Sequence, residues 1–182
     1  MFIFQAMRSS KETKEDSKVA VLGPNKLNEI KLMALGKTYQ NLSQSIELMS
    51  PELASQLVRI LAIVEPSPGF LTGSSSRPQD VAAEMGVAIK ALLDPGTKDS
   101  TKQTIVREGK ITKRLKAIVD GMAVLSPEKV KALYSGTEAM LKSPELGNPT
   151  SGSQKNLRKN LEEVVSSLTT VLLVRILEEK AK

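Results

Sequence analysis

The sequence contains no cysteine, no histidine and no tryptophan, and only 3% of its 182 residues are aromatic. Without cysteine, neither a disulfide framework nor a thiolate metal site is possible. Without histidine, the chain lacks the commonest general base and the commonest metal ligand. The core must consist of aliphatic residues and methionine, which suits helix packing better than a β-sandwich. We therefore expect an all-α protein that is not a conventional enzyme and that has no cofactor or metal ion.

Known catalytic and nucleotide-binding motifs are also missing. No Gly-x-Ser-x-Gly sequence presents a serine nucleophile. The adjacent acids Glu162-Glu163 and Glu178-Glu179 would point about 100° apart on a helix, so neither pair converges on one substrate or metal ion. Gly36-Lys37-Thr38 has the ending of a phosphate-binding loop, but Lys31 stands where that loop requires a glycine.

Long apolar runs are absent as well. The longest, residues 171–177, is interrupted by Arg175 and falls short of the roughly 18 apolar residues that a membrane helix needs. Residues 1–7 are apolar, but they are too few for a signal-peptide core and have no basic start. The sequence therefore predicts no membrane span and, with no cysteine, a cytoplasmic location.

Proline and serine mark the starts of the predicted helices. In Ser50-Pro51-Glu52, serine can cap the helix, proline tolerates its first position, and glutamate favours its positive end. Apolar residues then recur every three or four positions, which is the period of a helix buried on one side. The predicted stripes are Leu35, Tyr39, Leu42, Ile46, Met49; Leu53, Leu57, Ile60, Leu61, Val64; and Val81, Met85, Ala88, Ile89, Leu92.

The same order of signals recurs 76 residues later, which predicts an internal duplication. Ser126-Pro127-Glu128 repeats the earlier helix start, and two stripes recur in register. We expect a helical bundle of about six helices in two tandem three-helix repeats: a flexible N-terminal arm over residues 1–23, repeat 1 over 24–97, and repeat 2 over 98–182 with a longer last helix. The alternative is six unrelated helices with common capping. The repeated stripes are Ile111, Leu115, Ile118, Met122, Leu125 and Leu157, Leu161, Val164, Leu168.

Positive charge is confined to the second half of the chain. Residues 1–100 hold 11 basic and 11 acidic residues, whereas residues 101–182 hold 15 and 9 and carry the whole net charge of +6. A positive face can bind phosphates or an acidic partner, but it can also be an ordinary solvated face. The candidate residues for binding an anionic partner are Lys102, Arg107, Lys110, Lys113, Arg114, Lys116, Lys155, Arg158 and Lys159.

The end of the last predicted helix is apolar on almost every side. Leu173, Val174 and Leu177 lie off the inner stripe, so they must be covered by the first repeat or by another chain. We regard these three residues as a candidate association surface.

Two hypotheses for function follow. The first is a non-catalytic structural or adaptor protein that acts by self-association or by holding a protein partner. The alternative is a sequence-tolerant nucleic-acid-binding protein of the packaging or coat-like kind, which would use the basic face of the second repeat. Salt separates them, because binding through phosphates weakens steeply with salt whereas apolar association does not.

Overall fold

The regular structure is entirely helical in residues 23–64 and 78–182, which are the residues that the computed structural model describes. This confirms the all-α prediction. The predicted arm over residues 1–23 lies, apart from Gly23, outside this range. The helices are α1 (Pro24–Ile46), α2 (Pro51–Leu61), α3 (Pro78–Leu93), α4 (Asp99–Arg107), α5 (Thr112–Gly121), a 3₁₀ helix (Met122–Val124), α6 (Pro127–Leu141), α7 (Pro144–Gly147) and α8 (Gly152–Lys180).

Both predicted serine caps are confirmed. The Ser50 hydroxyl accepts a hydrogen bond from the Leu53 amide at 3.2 Å, and the Ser126 hydroxyl accepts one from the Lys129 amide at 3.3 Å. Each satisfies one of the amides that a helix start leaves unpaired. The long helix α8 begins with a full capping box, formed by Ser151 and Gln154.

The second half has more helices than predicted, because a tight turn separates α4 from α5. Gly109 has φ +62°, a backbone conformation that glycine adopts without steric cost. Its amide donates to Val106 at 3.0 Å, and the Lys110 amide donates to Ile105 at 3.2 Å. This pair of bonds is a Schellman motif, which ends α4 and starts a new direction.

The predicted stripes form one hydrophobic core. Almost every stripe residue with a described side chain is buried, and the half-buried members, such as Tyr39, Ile60 and Leu92, pack against the core. The side chain of Val81, which also belongs to a predicted stripe, lies outside the described residues. Buried apolar area of this kind is the main stabilising contribution to a helical fold. Two charged residues, Lys31 and Arg175, are buried too, although sequence reasoning did not place either of them inside.

Helix α8 packs antiparallel against α1, and this is the most extensive helix pair of the described chain. Near the start of α1, Lys31 meets Glu178 at the end of α8. Further along α1, the Thr38 and Ser167 hydroxyls share a buried hydrogen bond of 2.6 Å. Successive contacts therefore run forward along α1 and backward along α8.

Helix α5 also runs antiparallel to α1. The Lys31 amine donates to the carbonyl of Ala123, just after α5, at 2.8 Å. The Lys116 amine lies 5.9 Å from the centre of the Tyr39 ring. Helix α1 is therefore flanked by α5 and α8, and both place their N-terminal ends beside its C-terminal end.

The 76-residue offset aligns α1 with the α4–α5 segment, α2 with α6, and α3 with α8, and contacts between helices follow this correspondence. The contact between α1 and α8 corresponds to the contact between the α4–α5 segment and α3. The contact between α2 and α3 corresponds to the contact between α6 and α8. At the crossing of α2 and α6, Ile60 meets Gly136, its own equivalent 76 residues later. A duplication predicts this pattern. It stays a prediction, because α1 is continuous whereas its counterpart is broken at Gly109.

A buried ion cluster joins the end of α8 to α1 and to the 3₁₀ helix. The Lys31 amine lies 3.0 Å from both carboxylate oxygens of Glu178. The Arg175 guanidinium donates to Glu178 at 3.1 Å and to the Leu125 carbonyl at 2.8 Å. It also donates to Glu179, and this hydrogen bond lowers the pKa of the Glu179 carboxyl. Every buried charge of the cluster is thus paired.

Gly136 should resist substitution by alanine. A methyl group there would lie 2.9 Å from Cγ1 of Ile60, and such overpacking typically costs about 1–3 kcal/mol. That cost exceeds the roughly 0.5–1 kcal/mol that alanine gains over glycine in a helix. We expect G136A to lose about 1 kcal/mol of unfolding free energy in chemical denaturation, by the difference of these two effects.

The matched control is Gly36, an exposed glycine within α1 that has no neighbouring atom within 4 Å of an added methyl group. G36A should gain about 0.5–1 kcal/mol. Changes of the same sign at both positions would show that the α2–α6 approach does not govern Gly136.

Removing the Glu178 carboxylate should leave Lys31 buried without an acid partner. Lys31 is 7% exposed and Glu178 is 20% exposed. Breaking a buried ion pair on one side costs about 3–5 kcal/mol, and we expect E178A to cost about 3 kcal/mol in the same denaturation experiment, the lower end of this range, because Glu178 keeps some solvent contact. The neighbouring change E179A removes a carboxylate that is 40% exposed and should have little effect. Equal effects of the two variants would contradict a structural role for the Lys31–Glu178 pair.

Candidate functional site

Six of the nine candidate cations lie on α4, α5 and the turn between them. Lys110 lies 3.2 Å from Glu108, and Lys116 lies 2.6 Å from Asp120. Both ion pairs are exposed, so each reduces the local positive charge but contributes little to stability. Exposed members are Arg107, Lys110, Lys113 and Lys116, whereas Lys102 and Arg114 are half-buried.

The other three cations lie near the start of α8. Lys155 and Lys159 are exposed. The Arg158 guanidinium instead turns inward and donates to the carbonyls of Leu141 and Leu146, at 3.0 and 2.5 Å. These carbonyls stand at the ends of α6 and α7, where helices leave acceptors unpaired. Arg158 therefore holds three helices together.

The fold brings the two basic groups to the same end of the molecule. Both α5 and α8 start beside the C-terminal end of α1, as the antiparallel contacts of Tyr39 and Thr38 require. Residues 110–116 and 155–159 therefore both lie near the C-terminal end of α1. Their separation in sequence concealed this arrangement.

The candidate association surface at the end of α8 is partly covered by the chain itself. Val174 is only 3% exposed, so its side chain is not accessible to a partner. Leu173 and Leu177 are half-buried. Since α8 packs chiefly on α1, the N-terminal half of the chain covers this helix to a large extent, and intramolecular cover was one of the two outcomes that the sequence left open.

A different apolar surface is exposed on α3, and sequence reasoning missed it. Val87 is 71% exposed and forms a ridge between two grooves. The α2–α3 groove, of about 320 Å³, is lined by Pro51, Ala54, Ser55, Val58, Arg59, Gly86, Val87 and Lys90. The α3–α4 groove, of about 450 Å³, is lined by Val87, Ala88, Ala91, Thr101, Ile105, Lys110 and Arg114. We call Val87 with these two grooves the α3 face.

The lining of the α3 face has one consistent chemistry. Among the side chains that the structure describes there, the floor is aliphatic and the charged members, Arg59, Lys90, Lys110 and Arg114, are basic. The volumes fall within or near the range of about 300–1,000 Å³ that is usual for ligand pockets. One sequence signal pointed here: Val87 lies off the buried stripe formed by Met85, Ala88 and Ile89, as Leu173 does on α8.

Tyr134 and Glu179, which have shifted pKa values, do not line these grooves. Burial, aided by the hydrogen bond that it donates to Glu138, raises the pKa of Tyr134 above its ordinary value of 10. The pKa of Glu179 is lowered by Arg175, as described above. Both pKa values move away from neutrality, so neither group is suited to general acid–base catalysis at neutral pH. In the described residues, no three acidic side chains cluster in a way that could hold a metal ion.

No helix within the described ranges is long and apolar enough to cross a membrane. Comparison of the chain with protein-family models, with curated proteins and with solved structures returned no match. The chemistry of its own surface is therefore the basis for a functional proposal.

Proposed function

We propose that this chain is a non-catalytic adaptor that holds a partner protein, and that the α3 face is its binding surface. The cysteine-free composition fits a reducing compartment such as the cytoplasm. The single observation that supports this proposal most directly is the exposure of Val87 between two open grooves. A large aliphatic side chain on such a ridge supplies binding energy when a partner covers it.

Substitution of Val87 by aspartate should weaken partner binding without unfolding the chain. The side chain is exposed, so the folded state loses little. Burying a valine side chain is worth about 1.5–3 kcal/mol, which corresponds to about a 10- to 100-fold change in Kd. A photo-crosslinking residue at position 87, introduced in the cells that make the protein, should join it to a discrete partner. With that partner purified, V87D should raise the Kd by at least about tenfold.

Val124 offers the matched control. It is also an exposed valine, at 56%, but it belongs to the 3₁₀ helix and to neither groove. A crosslinker at position 124 should yield no product, and V124D should bind the partner normally. Equal crosslinking from both positions, or none from position 87, would refute the α3 face as a binding surface.

Nucleic-acid binding is the second candidate function, and one observation favours it. Residues 110–116 and 155–159 lie at the same end of the bundle, so two basic groups can act on one polyanion. The scarcity of aromatic residues leaves few platforms for base stacking, which favours contacts to phosphates over base reading.

If the chain binds nucleic acid, substituting glutamate for Arg107, Lys110, Lys113 and Arg114 should abolish the shift of a DNA duplex in an electrophoretic assay at low salt. For the parent chain, log K should fall with log salt by about 0.9 per phosphate contact. The control reverses four exposed lysines outside this segment, Lys26, Lys131, Lys142 and Lys180, which gives the same change in net charge. If both quadruple variants lose binding equally, binding depends only on overall charge. If the parent chain does not shift the DNA, only the adaptor proposal remains.

A further inference from the structure

Helix α4 is held to the rest of the chain by fewer buried side chains than the helix that follows it. Of its nine residues, all of which the structure describes, Ile105 alone is buried, at 6% exposure. Helix α5, of ten residues, buries four. The residue before α4, Lys98, makes no side-chain hydrogen bond to the helix start. Because a helix this short is marginal in water without tertiary contacts, α4 depends on Ile105 for its position.

The weak attachment of α4 follows from the length of α3. The 76-residue offset aligns the α4–α5 segment with α1, whose first half lies on the last turns of α8, where Lys31 meets Glu178. Helix α3, which corresponds to α8, ends at Leu93. Residues 99–107 therefore lack the support that α8 gives to the first half of α1.

The Ile105 side chain separates two apolar openings. On one side is the α3–α4 groove of about 450 Å³, which Ile105 lines together with Ala88 and Ala91. On the other side is a smaller cleft of about 80 Å³, which Ile105 lines together with Leu92 and Ile111. Withdrawal of this one side chain would join the groove to the cleft along α3.

The segments on both sides of α4 can act as hinges. Gly109, at its C-terminal end, has φ +62°, and glycine changes its backbone angles at little steric cost. Before α4, a turn over residues 94–97 is closed by two hydrogen bonds to Asp94, from the Gly96 amide to the carboxylate at 2.8 Å and from the Thr97 amide to the carbonyl at 3.2 Å. Short connections of this kind absorb the backbone rotation when a lid moves.

From these observations we propose that α4 is a lid on α3, which detaches as a unit by rotation at Gly109 and at the 94–97 turn. Opening withdraws Ile105, so the α3 face has a closed form, described above, and an open form with a deeper apolar floor. A partner that buries more apolar surface in the open form shifts the chain toward it. This consequence rests on the proposed adaptor function, whereas the movement of α4 does not.

The cysteine-free sequence allows the opening to be measured by thiol labelling. Ala88 is 7% exposed and lines the α3–α4 groove, whereas Ala34 is 6% exposed and lines a groove between α1 and α8. In native buffer, A88C should react with dithiobisnitrobenzoate at least about tenfold faster than A34C, because opening of α4 requires less free energy than global unfolding. Low concentrations of denaturant should accelerate labelling of A34C steeply and that of A88C little, since lid opening exposes little surface.

A hinge variant and a distant core variant separate lid opening from general loss of stability. In the A88C background, G109A should accelerate labelling by about 5- to 30-fold, because the left-handed conformation is unfavourable for alanine. Val130 is fully buried in α6, away from α4. V130A should leave the labelling of A88C unchanged while accelerating that of A34C.

Equal labelling rates for A88C and A34C, with the same dependence on denaturant, would show that α4 opens only with the whole chain and would overturn the lid. A labelling rate for A88C that G109A does not change, or that V130A raises equally, would overturn it too.

Hydrogen exchange of the unaltered chain needs no substitution and decides the question even if the cysteine variants fail to fold. Amides of residues 103–107 should exchange together, at least about tenfold faster than the amides in the middle of α1 and α8. Equal protection of α4 and α1 would contradict the proposal. None of these measurements involves a partner, so failure of the lid is distinguishable from failure of the adaptor function, which crosslinking from position 87 tests.

Discussion

The antiparallel contact between α1 and α8 is the interaction on which the rest of the structure depends. It joins one of the first helices to the last, and its register is set by polar groups that tolerate no slippage. The buried hydrogen bond between Thr38 and Ser167 and the Lys31–Glu178 ion pair would both be lost if α8 moved by one turn, which would leave buried polar groups unsatisfied. Apolar packing alone is less directional. The polar contacts therefore select one arrangement of helices that hydrophobic burial stabilises.

The positions of the surface features follow from this arrangement. With α5 and α8 both antiparallel to α1, the basic residues of two distant segments come to one end of the bundle. Because α1 covers α8, little of the apolar end of α8 is accessible to a partner, and Val174 is buried within the chain. Helix α3 packs mainly against α2, α4 and α5, which leaves Val87 on its outer side. The α3 face is thus a consequence of where the large helices pack.

Sequence reasoning succeeded where structure is governed by neighbours along the chain. Ser50 and Ser126 cap their helices because the hydroxyl reaches an amide three residues away, and the apolar stripes are buried because their period matches the helix. It succeeded less well for the candidate site. Arg158 was grouped with solvent-facing cations, although its guanidinium binds two helix-end carbonyls. These carbonyls are 17 and 12 residues away, beyond the reach of any local pattern. The break at Gly109 was not predicted either. Gly109 ends α4, although the 76-residue offset aligns the α4–α5 segment with α1, which is continuous.

By itself the sequence determined the all-α class, the starts of the capped helices and most of the core, because capping, periodicity and residue size act over a few positions. Tertiary structure alone decided which helices pair, that Lys31 and Arg175 lie inside, and that Val87 rather than Val174 faces outward. Burial of a charge depends on a partner such as Glu178, which stands 147 residues from Lys31. Exposure of a valine depends on whether another helix happens to cover it. Both are properties of long-range packing, and a window of neighbouring residues contains no information about which distant helix fills the space beside them.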